Sequence, residues 1–286
     1  MIVLQLLING LVTGSALGMV AISFSLVYST TKIFHVAHAG TFTLAGYVAW
    51  TLASRGAPDI VSLLAAMLVC AVLGAATQKF LYDPLDRRRA SPLVVLIASL
   101  GLLAVIVNIL AAVYSANILA FPTPWASRMQ SWGAIRLTNA QLLTVVMGFA
   151  AYGAVMFFAH GTMLGKRIRA VASNPLLADI TRLQPKQAYV IVLAIASALV
   201  AIPGVLIHLD LGLQPYNGVT VLLTATIAMI AGGVGSITGA FVMAIAVAVL
   251  QNLSLLVIES IWSIGVTFFV FVIFMLFRPT GLFVAR

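Results

Sequence analysis

A chain of 286 residues that is 63% hydrophobic and only 7% charged, with a formal net charge of +9 and a mean hydropathy of +1.16, lacks the polar residues that coat a core in water, where about 25% charged residues is usual. This excludes an ordinary water-soluble globular domain and makes lipid the solvent. The positive charge does not indicate nucleic acid, because the basic residues sit in short loops between apolar runs, where they orient a membrane protein.

A bilayer core about 30 Å thick takes about 20 apolar residues per helix. Dividing the chain where charge, proline or glycine interrupts predicts nine membrane-embedded segments: 3–29, 36–54, 60–81, 92–115, 139–159, 188–208, 219–232, 237–257 and 261–277. The first has no basic leader and exceeds the roughly 7 to 15 residues of a signal-peptide core, so it reads as a retained helix. Cys70, the single cysteine, lies inside the third run, which gives no disulfide framework and reads as a small buried hydrophobe. Ser91-Pro92 and Thr138-Asn139 place N-cap chemistry ahead of apolar runs. Segment 219–232 reaches only about 20 Å at about 1.5 Å per residue and cannot cross alone as a straight helix. It belongs to the interrupted stretch Tyr216 to Gly239, which follows the long segment 188–208, as His35 to Trp50 follows segment 3–29. Paired broken segments point to a transporter's path, although the two show little direct sequence similarity. The expected fold is an all-α polytopic transmembrane helical bundle of eight to nine membrane-embedded segments, with residues 1–286 forming one permease domain. If 219–232 is re-entrant, or 36–54 folds back, the count is eight and one terminus changes side.

Basic residues set the orientation. Lys32, Lys79, Arg87, Arg88, Arg89, Lys166, Arg167, Arg169, Arg182, Lys186, Arg278 and Arg286 share one face, against Arg55, Arg128 and Arg136 on the other. The rich face is cytoplasmic, which puts the N-terminus outside and the C-terminus inside when nine segments are counted. The cytoplasmic segment 161–186 is a polar, basic island. Leu164, Ile168 and Val171 recur at helical spacing with Lys166, Arg167 and Arg169 on the other side, which predicts an amphipathic helix. Asn174-Pro175 then caps a second helix expected over Leu176 to Leu183, with Pro185 as its stop. Ala170, Ala172 and Ala178 give this knob a surface of small apolar residues beside its charge, suited to docking a soluble partner.

Five motifs carry a resemblance, in order along the whole chain. Gly165-Lys166-Arg167-Ile168-Arg169-Ala170-Val171-Ala172-Ser173-Asn174-Pro175 followed by Ala178 resembles the "GRALRAVAQNPEAA" cytoplasmic segment of the permease subunits of branched-chain amino acid (hydrophobic amino acid uptake) ABC importers. Gly232 to Ala240 is similar to their "GGxGSxxGA" signature. Gly10-Leu11-Val12-Thr13-Gly14 resembles "GLxxG", and Ala37-His38 with Tyr47 resembles "NFAHGxxxMLGAY". Arg278-Pro279-Thr280-Gly281-Leu282-Phe283 resembles the closing "RPxGLFG". The chain departs from the family at His35, where Asn is usual, at Ala39, where Gly is usual, and at Arg182, where Gly is usual. The first two lie in the interrupted segment expected to face substrate, so related amino acids, a short amide or a small carboxylate stand beside leucine, isoleucine and valine as cargo.

The resemblance implies an inner-membrane permease of a prokaryote that pairs with a second related permease subunit, two cytoplasmic ATPase subunits and an extracytoplasmic substrate-binding protein. The chain itself carries no phosphate loop. Only three residues separate Gly161 from Gly165, and Arg167 rather than a hydroxyl follows Lys166. ATP is therefore expected to be bound by the partner subunit, and no cofactor or catalytic residue is expected here. Arg167, Arg169, Ala172, Asn174 and Asp179 are the ATPase-docking candidates. The substrate-path candidates are His35, His38, Thr41, Thr43, Asn217 and Thr220, since a zwitterionic amino acid needs polar partners near the midplane. His38 also has a bland reading as a hydrogen-bonded structural histidine. Metal binding is not expected, because no His pair has the i, i+4 spacing with a carboxylate partner. Asp210 and Glu259 fall near helix ends on the outer side, as solvated rim residues or contacts to a binding protein. Gly232, Gly233, Gly235 and Gly239 allow either tight helix packing or a bend in the path. An ion-coupled secondary transporter is the alternative from another class, and it would normally bury an ionisable coupling residue deep in a helix.

Overall fold

The computed structural model describes residues 2–133 and 135–283, so Arg286, counted toward the cytoplasmic charge, lies outside the described residues. Each of the nine apolar runs forms a helix. In chain order the helices are α1 (Ile2–Thr31), α2 (His38–Ala53), α3 (Asp59–Thr77), α4 (Asp83–Arg87), α5 (Pro92–Tyr114), α6 (Asn139–Gly161), α7 (Met163–Ser173), α8 (Pro175–Ile180), α9 (Pro185–Leu211), α10 (Asn217–Gly232), α11 (Ile237–Ser254) and α12 (Ser263–Phe277). A π turn over Gln78–Tyr82 joins α3 to α4, and together these run as one rod from Asp59 to Arg87. Seven rods among the described residues are long and apolar enough to cross a membrane. The other two apolar helices, α2 and α10, have 16 residues each, about 24 Å at about 1.5 Å per residue.

The cap chemistry is where the sequence puts it. The Ser91 hydroxyl accepts from the Val94 N–H at the start of α5, and Thr138 and Gln141 form a reciprocal capping box at the start of α6. Thr162 caps α7 and Asn174 caps α8. The second island helix is shorter than expected, ending at Ile180 instead of Leu183. Arg182 and Gln184 then take left-handed conformations at φ 62° and 46°, and Pro185 opens α9 as its first residue. Proline at a first helical turn loses no useful donor, so it starts the next helix here instead of stopping the last. One element was not foreseen: an antiparallel hairpin of β1 (Met129–Trp132) and β2 (Ile135–Thr138) between α5 and α6.

α1 is the central helix, and its glycines set how closely it packs. Gly10, Gly14 and Gly18 face Val249, Ile245 and Phe241 of α11, so the two helices run antiparallel. A Cβ at Gly14 would sit 2.6 Å from the Ile245 Cα, which leaves only a hydrogen at that position. α3 crosses α9 in the same antiparallel sense, with Ala66 and Cys70 beside Val205 and Ala201 in one buried cluster. The chain thus contains two similar units, α1–α2–α3 and α9–α10–α11. α1 packs on α11 as α9 packs on α3, α2 packs on α9 as α10 packs on α1, and α2 meets α10 at the centre. Phe42 and Gly46 of α2 lie beside Gly204 and His208 of α9, so α2 and α9 run parallel. Leu26 and Val27, late in α1, share a buried cluster with Val192, Leu193 and Ala196, early in α9, so α1 opposes α9 and the second unit is inverted relative to the first.

Candidate functional site

The two 16-residue helices begin beside each other, α2 buried and α10 at the edge of the protomer. Gly218, at the start of α10, lies on the Ala39 carbonyl at the start of α2, and a Cβ there would come within 2.5 Å of the Thr43 hydroxyl oxygen. From that point α2 runs toward Trp50 and the 115–133 connection, and α10 runs the other way, toward Gly232 and the closing Leu282-Phe283 segment. Neither helix has a side-chain N-cap, so both positive dipole ends converge on one region. Discontinuous helices whose N-termini meet inside a bundle recur at transporter binding sites.

Around the α2 start the candidates divide by exposure. His35, His38, Thr41 and Thr43 are all buried. His35 Nδ1 lies 2.7 Å from the Tyr82 hydroxyl in the π turn, and His38 Nε2 lies 2.9 Å from the Ser23 hydroxyl of α1. The Ala37 N–H donates to the Ser99 hydroxyl of α5 at 3.0 Å. This network fastens the start of α2 to α1, the π turn and α5. Thr41 and Thr43 donate back to the carbonyls of Ala37 and Ala39 within their own helix, so their hydroxyl donors are already used. Two ring atoms, His35 Nε2 and His38 Nδ1, are buried without a partner. On the other helix, Asn217 is half-buried and Thr220 is exposed. The crossing itself is made by Gly218, next to Asn217, on Ala39 and Thr43, and of the six candidates only the α10 pair is open to the outside of the protomer.

At the α7–α8 end of the bundle, Ile168 and Val171 of α7 and Ala178 of α8 are buried in a cluster with Val192, Leu193 and Ala196 of α9 and with Tyr82. Ala178 therefore packs inward and is not part of the exposed knob surface expected for it. Gly165 rests on the Phe158 carbonyl of α6, so α7 sits tightly under α6. Arg167, Asn174 and Asp179 are exposed and Ala172 is half-buried. The Arg169 guanidinium lies 3.2 Å from His160 Nδ1, and Asn174 spends its carboxamide oxygen on the Leu177 N–H at 3.0 Å. The exposed apolar residues Leu176, Leu177 and Ile180 escaped the sequence reading. A helix of six residues is too short for periodicity to reveal its outer face.

The glycine signature and the closing motif meet in space. The Leu282 and Phe283 N–H groups donate to the carbonyls of Ala231 and Gly232, each at 3.0 Å, so the tail satisfies the last turn of α10. Gly233 at φ 102° and Gly281 at φ 83° use conformations that favour glycine, and a Cβ on Gly281 would be 2.6 Å from the Gly233 N and Cα. These glycines serve close backbone packing. None of the six carboxylates of the chain lies in the interior of a membrane-length helix: Asp59, Asp83, Asp86, Asp179, Asp210 and Glu259 are all at helix ends or in the connections between helices.

Residues 6–276 match the family described as "Branched-chain amino acid transport system / permease component". Among curated relatives, the chain is 26% identical to the high-affinity branched-chain amino acid transport system permease protein BraD of Pseudomonas aeruginosa, over 98% of this chain and 95% of that one. It is 23% identical to the corresponding LivH proteins of Salmonella typhimurium and Escherichia coli K12, over 98% of this chain and 94% of each. Among solved structures it resembles PsaBC from Streptococcus pneumoniae in complex with Fab, with a TM-score of 0.52 and 16% identity over 95% of this chain and 91% of that chain, a likeness of fold alone. The chain is a multi-pass inner-membrane protein, and it belongs to the permease components of branched-chain amino acid transport systems.

Proposed function

We propose that the chain moves branched-chain or related amino acids as one of two related permease subunits, receiving cargo from an extracytoplasmic binding protein and motion from two cytoplasmic ATPases. The observation that carries this reading is the α7–α8 pair. Its inner face is packed against α6 and α9, while Leu176, Leu177 and Ile180 stand 73%, 57% and 73% exposed beside Lys166, Arg167 and Arg169. An apolar patch held on a rigid base at the water-facing side is suited to a protein partner. In this reading α7–α8 is the coupling element, with Leu176, Leu177 and Ile180 joining Arg167, Arg169, Ala172 and Asp179 at the contact, and Asn174 holding α8 in place.

Nine membrane-embedded segments, with α2 and α10 as the short pair, put the N-terminus outside and the C-terminus inside, in keeping with the basic loops. Thr220 and Asn217 offer polar groups toward the path between the two permease subunits. His35, His38, Thr41 and Thr43 shape and anchor the α2 start behind them. The absence of a carboxylate inside any membrane-length helix of the described residues weighs against an ion-coupled mechanism, as does the family. The test is reconstitution in liposomes: uptake of labelled leucine, isoleucine or valine is expected only with ATPase, ATP and binding protein together, and the purified chain alone is expected to bind no nucleotide. ATP-independent uptake driven by an ion gradient, or saturable ATP binding by the chain alone, would overturn the reading.

A further inference from the structure

Between α5 and α6 the chain inserts a cap, described over residues 115–133 and 135–138, which the proposed topology places on the outer face. It is tied to the helices at several points. The Gln5 side chain of α1 pairs with the backbone of Arg136 through bonds of 2.8 and 2.9 Å, the Trp50 indole of α2 donates to the Ala120 carbonyl at 2.9 Å, and Leu119 and Leu213 exchange backbone bonds of 2.8 and 3.2 Å. Under this cap, against the end of α9, lies a cleft of about 600 Å³ whose lining is mostly apolar and includes Ile118, Phe121, Thr123, Ser127, Asp210 and Leu211.

Asp210 is the one charged residue in that lining. Its two oxygens accept from neutral donors, the Thr138 hydroxyl at 3.0 Å and the Gln141 amide at 3.1 Å, which fix the carboxylate without neutralising it. Asp210 also stands in the last turn of α9, where the helix's own carbonyls add negative potential.

From this geometry we infer that the cleft is a docking socket for the extracytoplasmic binding protein and takes a lysine or arginine side chain from it, with the apolar stem against Ile118 and Phe121 and the cation on Asp210. The inference rests on the proposed role of a binding protein. Free cargo fits the cleft less well, because an amino acid brings a carboxylate and the lining holds no cation to receive it. A long cationic side chain matches both the apolar walls and the single fixed charge.

The test measures the affinity of the binding protein for the wild-type permease complex in nanodiscs, at low and high salt, against two variants. Asp210→Asn removes the charge. Ser127→Arg leaves the Asp210 bonds intact and supplies an internal cation to the cleft. Thermal unfolding of each variant and its basal ATPase rate in the complex serve as folding controls. Both variants are expected to weaken binding by tenfold or more and to flatten its salt dependence. Unchanged affinity in folded Ser127→Arg overturns the inference while the importer reading stands. Saturable binding of free leucine that is lost in Asp210→Asn, with binding-protein affinity unchanged, assigns the cleft to cargo and also overturns it. If no binding protein associates with the wild type and no ATP-driven uptake occurs, both the importer reading and this inference fall.

Discussion

Replacing Leu176 and Ile180 together by Ser tests the proposed coupling role of α7–α8 directly. Each side chain is 73% exposed, so neither contributes much to the stability of the permease, and unfolding should change by no more than about 0.5 kcal/mol per site. Full burial of a leucine or isoleucine contributes about 1.5–3 kcal/mol. Covering the exposed three quarters of each in an ATPase groove therefore contributes about 1–2 kcal/mol per residue, and the double variant loses about 2–4 kcal/mol, roughly 30- to 1000-fold in Kd. The assay is titration of the ATPase subunit onto permease in nanodiscs, with ATP-driven uptake as the second readout. Arg169→Glu is the electrostatic companion and should weaken docking less at high salt, where surface charge is screened. Ala178→Asp is the structural contrast: Ala178 is buried against α9, and a carboxylate there should disrupt the elbow itself. A Leu176→Ser, Ile180→Ser protein that binds ATPase within threefold of the wild type would refute the assignment of α8 as the contact.

Gly14→Leu should lower thermal stability in detergent by about 1–3 kcal/mol or more, since its side chain would enter the space of the α11 backbone, whereas Gly101→Leu, with nothing within 4 Å of the added Cβ, should behave as wild type. Equal melting of the two would show that the α1–α11 contact is not the tight one described. His35→Asn removes the imidazole that meets Tyr82 at 2.7 Å and should cost about 1–3 kcal/mol of stability, with the order of amino acid preference unchanged. A changed order in competition uptake would mean that the imidazole reaches cargo.

The membrane runs, their caps and the amphipathic face of α7 were legible because each is a local signal. Ser91, Thr138 and Asn174 cap the helices that follow them, and Ile168 and Val171 point inward as their spacing requires. What was not legible depends on tertiary contact. Nothing in the sequence places Gly218 on Ala39, because the two short helices share a fold position without sharing a pattern. The departures from the family motif at His35 and Ala39 gave no sign that the imidazole faces Tyr82, which lies 47 residues away. The strands of the hairpin have four residues each, which is too few for an alternating pattern to stand out from a polar loop. At Pro185 the same residue type can stop one helix or open the next. The left-handed residues Arg182 and Gln184 show that the break comes before it.

The inverted units differ where function would require them to. α2 is held at its start by Ser23, Tyr82 and Ser99 acting on His38, His35 and Ala37, while its outer end meets the cap through Trp50. α10 is held at its other end, where Leu282 and Phe283 bond to Ala231 and Gly232 and where Gly281 lies against Gly233. The two short helices that meet at Gly218 and Ala39 are thus anchored at different places: α2 near the crossing and α10 away from it. The two sequence motifs that lie farthest from each other in character, a glycine run and a chain-terminal Arg-Pro-Thr-Gly-Leu-Phe, form one clamp on α10, and the lack of any Cβ at Gly233 and Gly281 is what lets the clamp close.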